Sequence, residues 1–251
     1  MNTRYIRNRI YIDPQEQEII KNIPIVLGGS GIGSCIAECA LRLGFENITI
    51  IDGDQVEVSN LNRQNYTHED IASDKTAALK RRLLAINNNA TITIHSVFIN
   101  EDNIRSLITG HQIAINALDF TSDIPLLFDQ ICQENKIPVI HPYNLGWGGV
   151  ATIIVPNGLS LNSIQRENER LNEVKIIEYV TSYMAFWGKP QHWIEDIIKA
   201  YKHETEPLPP PQLSVGSWLV ASMCTNLLFD LAVGNVTKTF PEFYLMSISN
   251  S

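Results

Sequence analysis

The feature that most restricts the fold of this chain is an apolar run that ends abruptly in glycines, IPIVLGGSGIGS at positions 23–34. A run without polar alternation is typical of a strand buried on both faces. The next residues, SCIAECALRLGF, carry apolar side chains at helical spacing, and Gly44 is typical of a helix C-terminus. NITII (47–51) is a second apolar run. The order strand, glycine turn, helix, strand predicts a βαβ unit with parallel strands and a right-handed crossover.

The alternation of strands and helices continues along the chain. After a polar amphipathic helix at 14–22 and the βαβ unit, the sequence predicts a helix over most of 68–87, a strand at 90–98, a short helix at 101–108, a strand at 111–119, a helix at 124–135 and two strands around a glycine-rich bend at 137–156. This pattern predicts an α/β fold, doubly wound and Rossmann-like, with a mainly parallel sheet and helices on both faces.

The composition changes after residue 156. The sequence predicts two helices at 162–187 and 191–202, a proline-rich extended stretch at 205–213, an apolar helix at 214–234 and a closing edge strand at 240–249. We expect one domain with three parts. These are a nucleotide-binding core (1–156), a helical, proline-rich insertion that lies over the sheet (157–212), and a C-terminal helix with an edge strand (213–251).

Bulk composition excludes some function classes. The 251-residue chain has a net charge of −8, and its 19 Lys and Arg residues are scattered, so we expect no nucleic-acid partner. The charged N-terminus predicts neither a secretory signal nor a membrane span, which favours a cytoplasmic protein. The apolar stretch 214–234 contains Ser, Asn and Asp, so a buried core helix is favoured over a membrane span.

The glycine turn and the end of the second strand point to a nucleotide. Backbone N–H groups at a helix N-terminus can hold a phosphate, although the spacing G-x-G-x-x-G fails at Ser30. Asp52 comes nineteen positions after Gly33, where the second strand of a dinucleotide-type fold presents an acid to ribose hydroxyls. The candidate contacts in the turn are Gly28, Gly29, Gly31 and Gly33.

Polar residues that suit a polyphosphate follow Asp52. An arginine can form a bidentate fork on phosphate oxygens, a lysine supplies a point charge, and amides bond phosphate or sugar. Asp119, at the end of a predicted strand, could hold Mg²⁺ against that polyphosphate. The candidate nucleotide-binding residues after the turn are Asp52, Asp54, Asn60, Arg63, Gln64 and Lys75.

Four segments together carry a family resemblance: GGSGIGS, IIDGDQVEVSNLNRQ, SDK and INALD. They resemble the signature segments of the ubiquitin-activating-type adenylyltransferases, the ThiF/MoeB/HesA family, over about residues 4–156. The resemblance implies an enzyme that uses ATP and Mg²⁺ to convert a C-terminal carboxylate, of a ubiquitin-like β-grasp protein or a peptide, into an acyl-adenylate with release of pyrophosphate. It implies that Asp52 binds the ribose and that Asp119 acts through Mg²⁺. It also implies phosphate contacts from Asn60, Arg63, Gln64 and Lys75.

The resemblance further implies a homodimer in which each chain supplies an arginine to its partner's site. The related N-terminal motif resembles R-Y-x-R-Q, and TRYIRNRIYI contains its Y-x-R element at Tyr5 and Arg7. Arg7 is therefore the first candidate and Arg9 the second. With Asp119, Arg63 and Lys75, Arg7 completes the predicted catalytic set.

The sequence departs from the family pattern at several points. Ser30 replaces a usual glycine, while Leu118 and Phe120 replace a common Thr and Asn around Asp119. Many relatives bind structural zinc through two C-x-x-C pairs, and this chain has none, so we expect no zinc. No cysteine occurs between Cys132 and Cys224, so we expect no thioester on the segment crossing the active site.

Several assignments stay open at this stage. His141 and Tyr143 could line the carboxylate cleft or could pack at a strand end. The aromatic residues could grip a partner's tail, although packing is their commoner use; they are Tyr183, Phe186, Trp187 and Trp193. A nucleotide-binding scaffold that has lost catalysis is the leading alternative function. An NAD-dependent oxidoreductase is disfavoured, because it would leave Arg63, Lys75 and Asp119 without a task.

Overall fold

A computed structural model describes residues 3–165, 169–206 and 208–248 of the chain. Its centre is a seven-stranded sheet. The strands are β1 (Ile25–Gly28), β2 (Asn47–Ile51), β3 (Thr91–His95), β4 (Ile113–Asn116), β5 (Val139–Asn144), β6 (Gly148–Ile154) and β7 (Tyr244–Ser247). They lie in the order β3-β2-β1-β4-β5-β6-β7, parallel from β3 to β5 and antiparallel at β6 and β7. The predicted α/β class, the mainly parallel sheet and the edge position of β7 are confirmed.

Helices cover both faces of this sheet. They are α1 (Pro14–Asn22), α2 (Gly33–Leu43), α3 (Lys75–Ile86), α4 (Ile104–Ile108), α5 (Ile124–Glu134), α6 (Glu173–Phe186), α7 (His192–Lys202) and α8 (Ser214–Val233). One apolar cluster includes Ile36 of α2 and Leu228 of α8, and the other includes Phe128 of α5 and Ile177 of α6. Because both faces are covered, β1, β2 and β4 can be apolar almost throughout, whereas the edge strand β3 alternates exposed Thr with buried or half-buried Ile.

Three predicted helices were too long; the one at 101–108 begins at Ile104, and two others begin still later than predicted. The one predicted over 68–87 begins at Lys75, because His68–Asp70 forms a separate 3-10 turn and Ala72 has a left-handed φ of 64° that interrupts the helical path. The one predicted over 162–187 begins at Glu173, where the side chain of Asn172 caps the helix by accepting the N–H of Lys175. Residues 166–168 of that prediction, and 207 and 249 of two others, lie outside the described residues.

Helix α8 is long and apolar enough, by length and composition, to cross a membrane, and half of its most apolar window is buried inside the protein. It packs against α2 and against β5 and β6. Its buried positions include Val220, Cys224 and Leu228. This packing is that of a core helix, as the polar residues within the stretch predict.

The strand order creates one distinctive point at the carboxyl edge of the sheet. β1 lies between β2 and β4, so the chain turns in opposite directions from the middle of the sheet. In open α/β sheets, ligands bind in the crevice at this switch point. The loops that follow β1, β2, β4 and β5 all open towards it, which places the glycine turn, Asp52 and Asp119 at one edge.

Candidate functional site

A cavity of about 770 Å³ lies at the carboxyl ends of β1, β2, β4 and β5. Its volume is in the upper part of the range usual for small-molecule sites. The structure brings nine of the predicted site residues to its wall, namely Gly29, Gly31, Asp52, Asp54, Asn60, Arg63, Gln64, Lys75 and Asp119. The parallel strands thus collect residues that lie far apart in sequence.

The four glycines of the turn divide into two groups. Gly29 has a φ of 88°, and a Cβ there would lie 2.4 Å from the carbonyl oxygen of Ala117, so both the backbone conformation and the close approach require glycine. Gly29 and Gly31 line the cavity, whereas Gly28 and Gly33 do not. A Cβ on Gly28 would lie 3.0 Å from the ring of Phe128, so this glycine serves helix packing.

Ser30, the departure from the family glycine, connects the turn to the end of β2. The Oδ2 atom of Asp52 accepts hydrogen bonds from the backbone N–H of Ser30 (2.6 Å) and from its hydroxyl (2.8 Å), and Oδ1 accepts from the N–H of Asp54 (2.8 Å). Tyr66 donates its hydroxyl to the carbonyl oxygen of Ser30 at 2.8 Å. A carboxylate has about four acceptor positions, so Asp52 keeps one for a ribose hydroxyl.

Acidic groups outnumber basic ones next to this turn. Lys75 is buried, and its Nζ lies 2.8 Å from Oδ2 of Asp54. Enclosure by the cavity wall, followed by the nearby Glu173 carboxylate, raises the pKa of Asp119 above its ordinary value, although the residue keeps an exposed face; Lys75 opposes this shift, while Asp54 and Asp52 add to it. Four carboxylates thus act around one lysine, and a bound cation would relieve their repulsion.

The oxygen chemistry of this cluster suits Mg²⁺. Within the described ranges, no group of three or more His, Cys, Asp or Glu side chains is arranged to hold a metal. Mg²⁺ is commonly bound by one or two carboxylates together with substrate phosphates and waters. Asp119 fits that pattern, because its carboxylate lines the cavity and lies in a field of negative charge.

Arg63 and Gln64 carry donors and an acceptor that are not fully used. Arg63 donates to the side-chain oxygen of Gln212 (2.8 Å), to the carbonyl oxygen of Ser59 (2.8 Å) and to Oδ1 of Asn62 (2.9 Å). These bonds, made within the described residues, leave two of its five N–H donors for a phosphate. The buried Oε1 atom of Gln64 has no hydrogen-bond partner in the described part of the chain. A ligand hydroxyl would satisfy it.

Arg7 and Arg9 lie away from this cavity. Their segment packs near the C-terminal end of α2, where Tyr5 donates its hydroxyl to Glu46 at 2.8 Å. Glu46 directly precedes β2, so this contact is at the amino edge of the sheet, roughly the 16 Å length of an 11-residue helix from the glycine turn. Both arginines are exposed, and neither lines the cavity of its own chain.

Tyr143 and His141 take different positions. Tyr143 lines the cavity, and burial raises its pKa well above the ordinary value. His141 was a candidate for the cleft, but it lies behind the wall, with Nε2 2.7 Å from Oδ1 of the buried Asp129. Asn116 donates to the same oxygen at 2.9 Å, while Oδ2 of Asp129 has no partner among the described residues. His141 and Tyr143 are two positions apart on β5, so both project from the face that packs against α5, and their rings stack 6.2 Å apart with Tyr143 nearer the carboxyl end of the strand.

The second wall of the cavity comes from the predicted insertion, but of its residues only Trp193 was a sequence candidate. Glu173, whose Oε1 accepts the N–H of Phe120 at 2.9 Å, begins α6 beside Asp119. Apolar side chains of α6 and α7 continue this wall; they are Ile177, Trp193, Ile194, Ile197, Ile198 and Tyr201. Their helical spacing predicts a buried helix face, but it does not predict that this face lines a cavity. The other aromatic candidates, Phe186 and Trp187, are exposed at the end of α6.

The chain matches the ThiF family over residues 5–247, and it belongs to that family. It is 31% identical over 162 residues to the sulfur carrier protein ThiS adenylyltransferase of Bacillus subtilis, covering 62% of this chain and 48% of the relative. It is 28% identical over 221 residues to the tRNA threonylcarbamoyladenosine dehydratase of Haemophilus influenzae, covering 87% and 80%. The chain spans about half the length of several relatives that it matches.

Solved structures share the fold. The crystal structure of Escherichia coli MccB with ATP superposes with a TM-score of 0.71 at 19% identity, covering all of this chain and 73% of MccB. The structure of PaaA gives a TM-score of 0.68 at 18% identity, covering 94% of this chain and 64% of PaaA. At such identities the likeness describes the fold and leaves activity to the residues of the site.

Proposed function

We propose that this chain is an ATP-dependent adenylyltransferase that activates a C-terminal carboxylate as an acyl-adenylate. The observation that carries the proposal is one cavity in which Arg63, Gln64 and Lys75 meet Asp119 beside the glycine turn. Nicotinamide chemistry would leave these residues without a role. Several relatives are named adenylyltransferases of sulfur carrier proteins or of molybdopterin synthase, which supports the same class.

The proposed reaction is a displacement at phosphorus. An oxygen of the substrate carboxylate attacks the α-phosphorus of ATP, the bond from that phosphorus to the bridging oxygen breaks, and pyrophosphate leaves. The turn N–H groups and Arg63 hold the phosphates, Lys75 supplies a point charge, and Asp52 and Gln64 orient the nucleoside. Such reactions depend on positioning and on neutralising charge, which this set of side chains supplies.

Mg²⁺ would be held by Asp119 together with phosphate oxygens, and when bound it would neutralise charge on the polyphosphate. Asp119 is then needed as a carboxylate. Glu173, which lies near enough to raise its pKa, would strengthen the attraction of this corner for the cation.

We propose that the chemistry stops at the adenylate. Cys132 and Cys224 are buried, and burial raises the pKa of both thiols. A thiol of raised pKa and no exposure is a poor nucleophile. The cysteine-free stretch between them supports the same limit. The nucleophile that consumes the adenylate would come from another molecule.

The carboxylate would belong to a peptide or to a ubiquitin-like β-grasp protein. The name of the ThiS adenylyltransferase points to a carrier protein, and MccB has been solved in complex with N-formylated MccA. The Haemophilus influenzae relative is named as a dehydratase of a tRNA nucleoside. A net charge of −8 makes tRNA an unfavourable partner for this chain.

We further propose a cytoplasmic homodimer in which Arg7 of one chain completes the site of the other. Arg7 cannot serve its own site, since it lies at the opposite edge of the sheet. Mixing Arg7→Ala chains with Asp119→Ala chains should restore part of the activity, because each mixed dimer keeps one intact site. Arg9→Ala chains in place of Arg7→Ala give the matched control, and a mixture without activity would argue against the shared site.

Exchange of labelled pyrophosphate into ATP tests the proposed activity directly. Candidate acids should stimulate exchange in the presence of Mg²⁺, and Mg-ATP should raise the thermal unfolding midpoint more than NAD does. Stabilisation by ATP without exchange for any acid would instead favour a catalytically inactive nucleotide-binding scaffold.

A further inference from the structure

The cavity has an apolar half that contains none of the residues assigned to the ribose, the phosphates or Mg²⁺. Ile194, Ile197, Ile198 and Tyr201 recur at positions i, i+3, i+4 and i+7 of α7, which places them on one face of the helix. This face lines the cavity, whereas Asp196 on the same helix is exposed and does not line it. Ile194 is buried, while Ile197, Ile198 and Tyr201 are half-buried, and a cavity lined by apolar side chains is typical of a ligand site.

A proline-rich strap, residues 208–212, crosses over this apolar half. Tyr201 donates its hydroxyl to the carbonyl oxygen of Leu208 at 2.8 Å, and Arg63 donates to the side chain of Gln212 at 2.8 Å. Three prolines, 209–211, lie between these two anchors and line the cavity. The strap is therefore fixed at both ends before any substrate binds.

The chemistry of the strap restricts what can be bound beneath it. Proline has no backbone N–H, so residues 209–211 cannot donate hydrogen bonds to an extended substrate chain. A diglycine tail offers only backbone groups and has no side chain to bury beneath the strap. A substrate with a large apolar side chain could instead bury it against α7 and the prolines, which needs no donor.

We infer that the acid activated here carries a bulky apolar side chain next to the reacting carboxylate, and that α7 and the strap bind this side chain. The inference rests on the proposed function and names its substrate class. The acid is either the C-terminal residue of a peptide or a free amino acid such as leucine or phenylalanine. Each methylene in an apolar pocket changes discrimination by roughly 10- to 200-fold, so the preference over glycine should be at least about tenfold.

The test measures binding separately from chemistry. Octapeptides that differ only in their last residue, Gly, Leu or Phe, and free Leu and Phe are titrated calorimetrically into the protein, with and without Mg²⁺ and α,β-methylene-ATP. Tighter binding of Leu or Phe ends supports the inference, and the peptide and amino-acid arms identify the source. Equal or tighter binding of the Gly end, or no binding of any acid, overturns it.

Variants of α7 locate the effect. Ile197→Asn should weaken Leu-ended or free Leu binding about tenfold or more, while Asp196→Asn on the exposed face should not change it. Ile197→Trp, which fills the pocket, should weaken the binding of Leu-ended and Phe-ended peptides and leave the binding of the Gly-ended peptide unchanged. Thermal unfolding checks that both variants fold. An equal loss for Gly ends overturns the assignment. Mg-ATP binding and pyrophosphate exchange test the proposed function separately, because an apolar acid could bind a protein that fails both.

Discussion

The two walls of the cavity are built in different ways. One wall, here called the nucleotide wall, carries the glycine turn, Asp52, Arg63 and Asp119. On this wall, hydrogen bonds fix individual atoms, as when Asp52 accepts two bonds from Ser30. On the apolar wall, α7 and the strap form a continuous apolar surface. The hydrogen bond between Arg63 and Gln212 connects the two walls, although these residues lie 149 positions apart in sequence. The difference teaches that the nucleotide wall depends on residue identity, whereas the apolar wall depends on shape and can accept other apolar side chains.

The largest effect should come from removing the carboxylate of Asp119. We expect Asp119→Asn to lower pyrophosphate exchange by about 1000-fold, the scale of losing one preorganised electrostatic contact. The folded protein should stay intact. Isotope exchange and a thermal unfolding midpoint measure both effects, and near-normal exchange would contradict the role.

The pH dependence of Asp119 follows from its raised pKa. Because its folded-state pKa lies above the ordinary 3.8, Asp119 adds stability below the unfolded pKa, and this contribution is lost as pH rises through the folded pKa. At neutral pH its charge is unfavourable, so Asp119→Asn should keep or raise the unfolding midpoint there. The acid limb of exchange should lie above pH 3.8 and move lower as Mg²⁺ is increased. If the pH of the acid limb does not change with the Mg²⁺ concentration, contact between Asp119 and the metal is contradicted.

The next effect concerns stability behind the wall, where His141 and Asp129 form a buried pair. His141→Leu removes one of the two hydrogen-bond partners of the buried Asp129 Oδ1, and we expect the free energy of unfolding to fall by about 1 to 3 kcal/mol. The double variant Asp129→Leu, His141→Leu should cost less than the single one, because the Asp129 carboxylate is then no longer buried without that partner. Urea unfolding measures both, and a loss below about 1 kcal/mol for the single variant would show that the pair matters little.

Variants of Arg63 and Gln212 distinguish the contributions of the two walls to nucleotide binding. Hydrogen bonds to charged groups contribute about 1.5 to 3 kcal/mol, so Arg63→Ala should weaken Mg-ATP binding about 10- to 100-fold, and Arg63→Lys should fall between it and the native protein. Gln212→Ala, which removes only the anchor of the strap, should leave Mg-ATP binding close to normal. Titration calorimetry compares the three variants, and an equal loss in Gln212→Ala would mean that the strap, and not the phosphates, explains the role of Arg63.

The smallest effect should come from Ser30. Its hydroxyl donates to Asp52 at 2.8 Å and accepts from Tyr66 at 3.1 Å, so we expect Ser30→Ala to lower the free energy of unfolding by about 1 kcal/mol. Tyr66→Phe, which removes the Tyr66 bonds to the Ser30 hydroxyl and carbonyl oxygen but keeps the bond to Asp52, is the matched comparison. Chemical denaturation of both variants measures the cost. A gain in stability for Ser30→Ala would mean that the hydroxyl is strained in the turn.

Much of the nucleotide wall could be predicted from the sequence. Apolar periodicity located β1, α2 and β2 to within two residues, and family motifs pointed to Asp52, Arg63 and Asp119, which the structure brings to one cavity. Such features are encoded locally, by spacing within a short segment. The start of α3 was missed, because a left-handed residue at Ala72 has no reliable signal in sequence.

The sequence by itself determined the order of the elements, the parallel α/β sheet, the glycine turn and the membership of the ThiF family. Only the tertiary structure decided that Ser30 binds Asp52, that His141 lies behind Tyr143, that Arg7 is at the far edge, and that Gln212 reaches Arg63. The physical reason is that periodicity and turn chemistry act between near neighbours in the chain. Contacts across many positions, such as the one between Arg63 and Gln212, depend on the path of the whole chain.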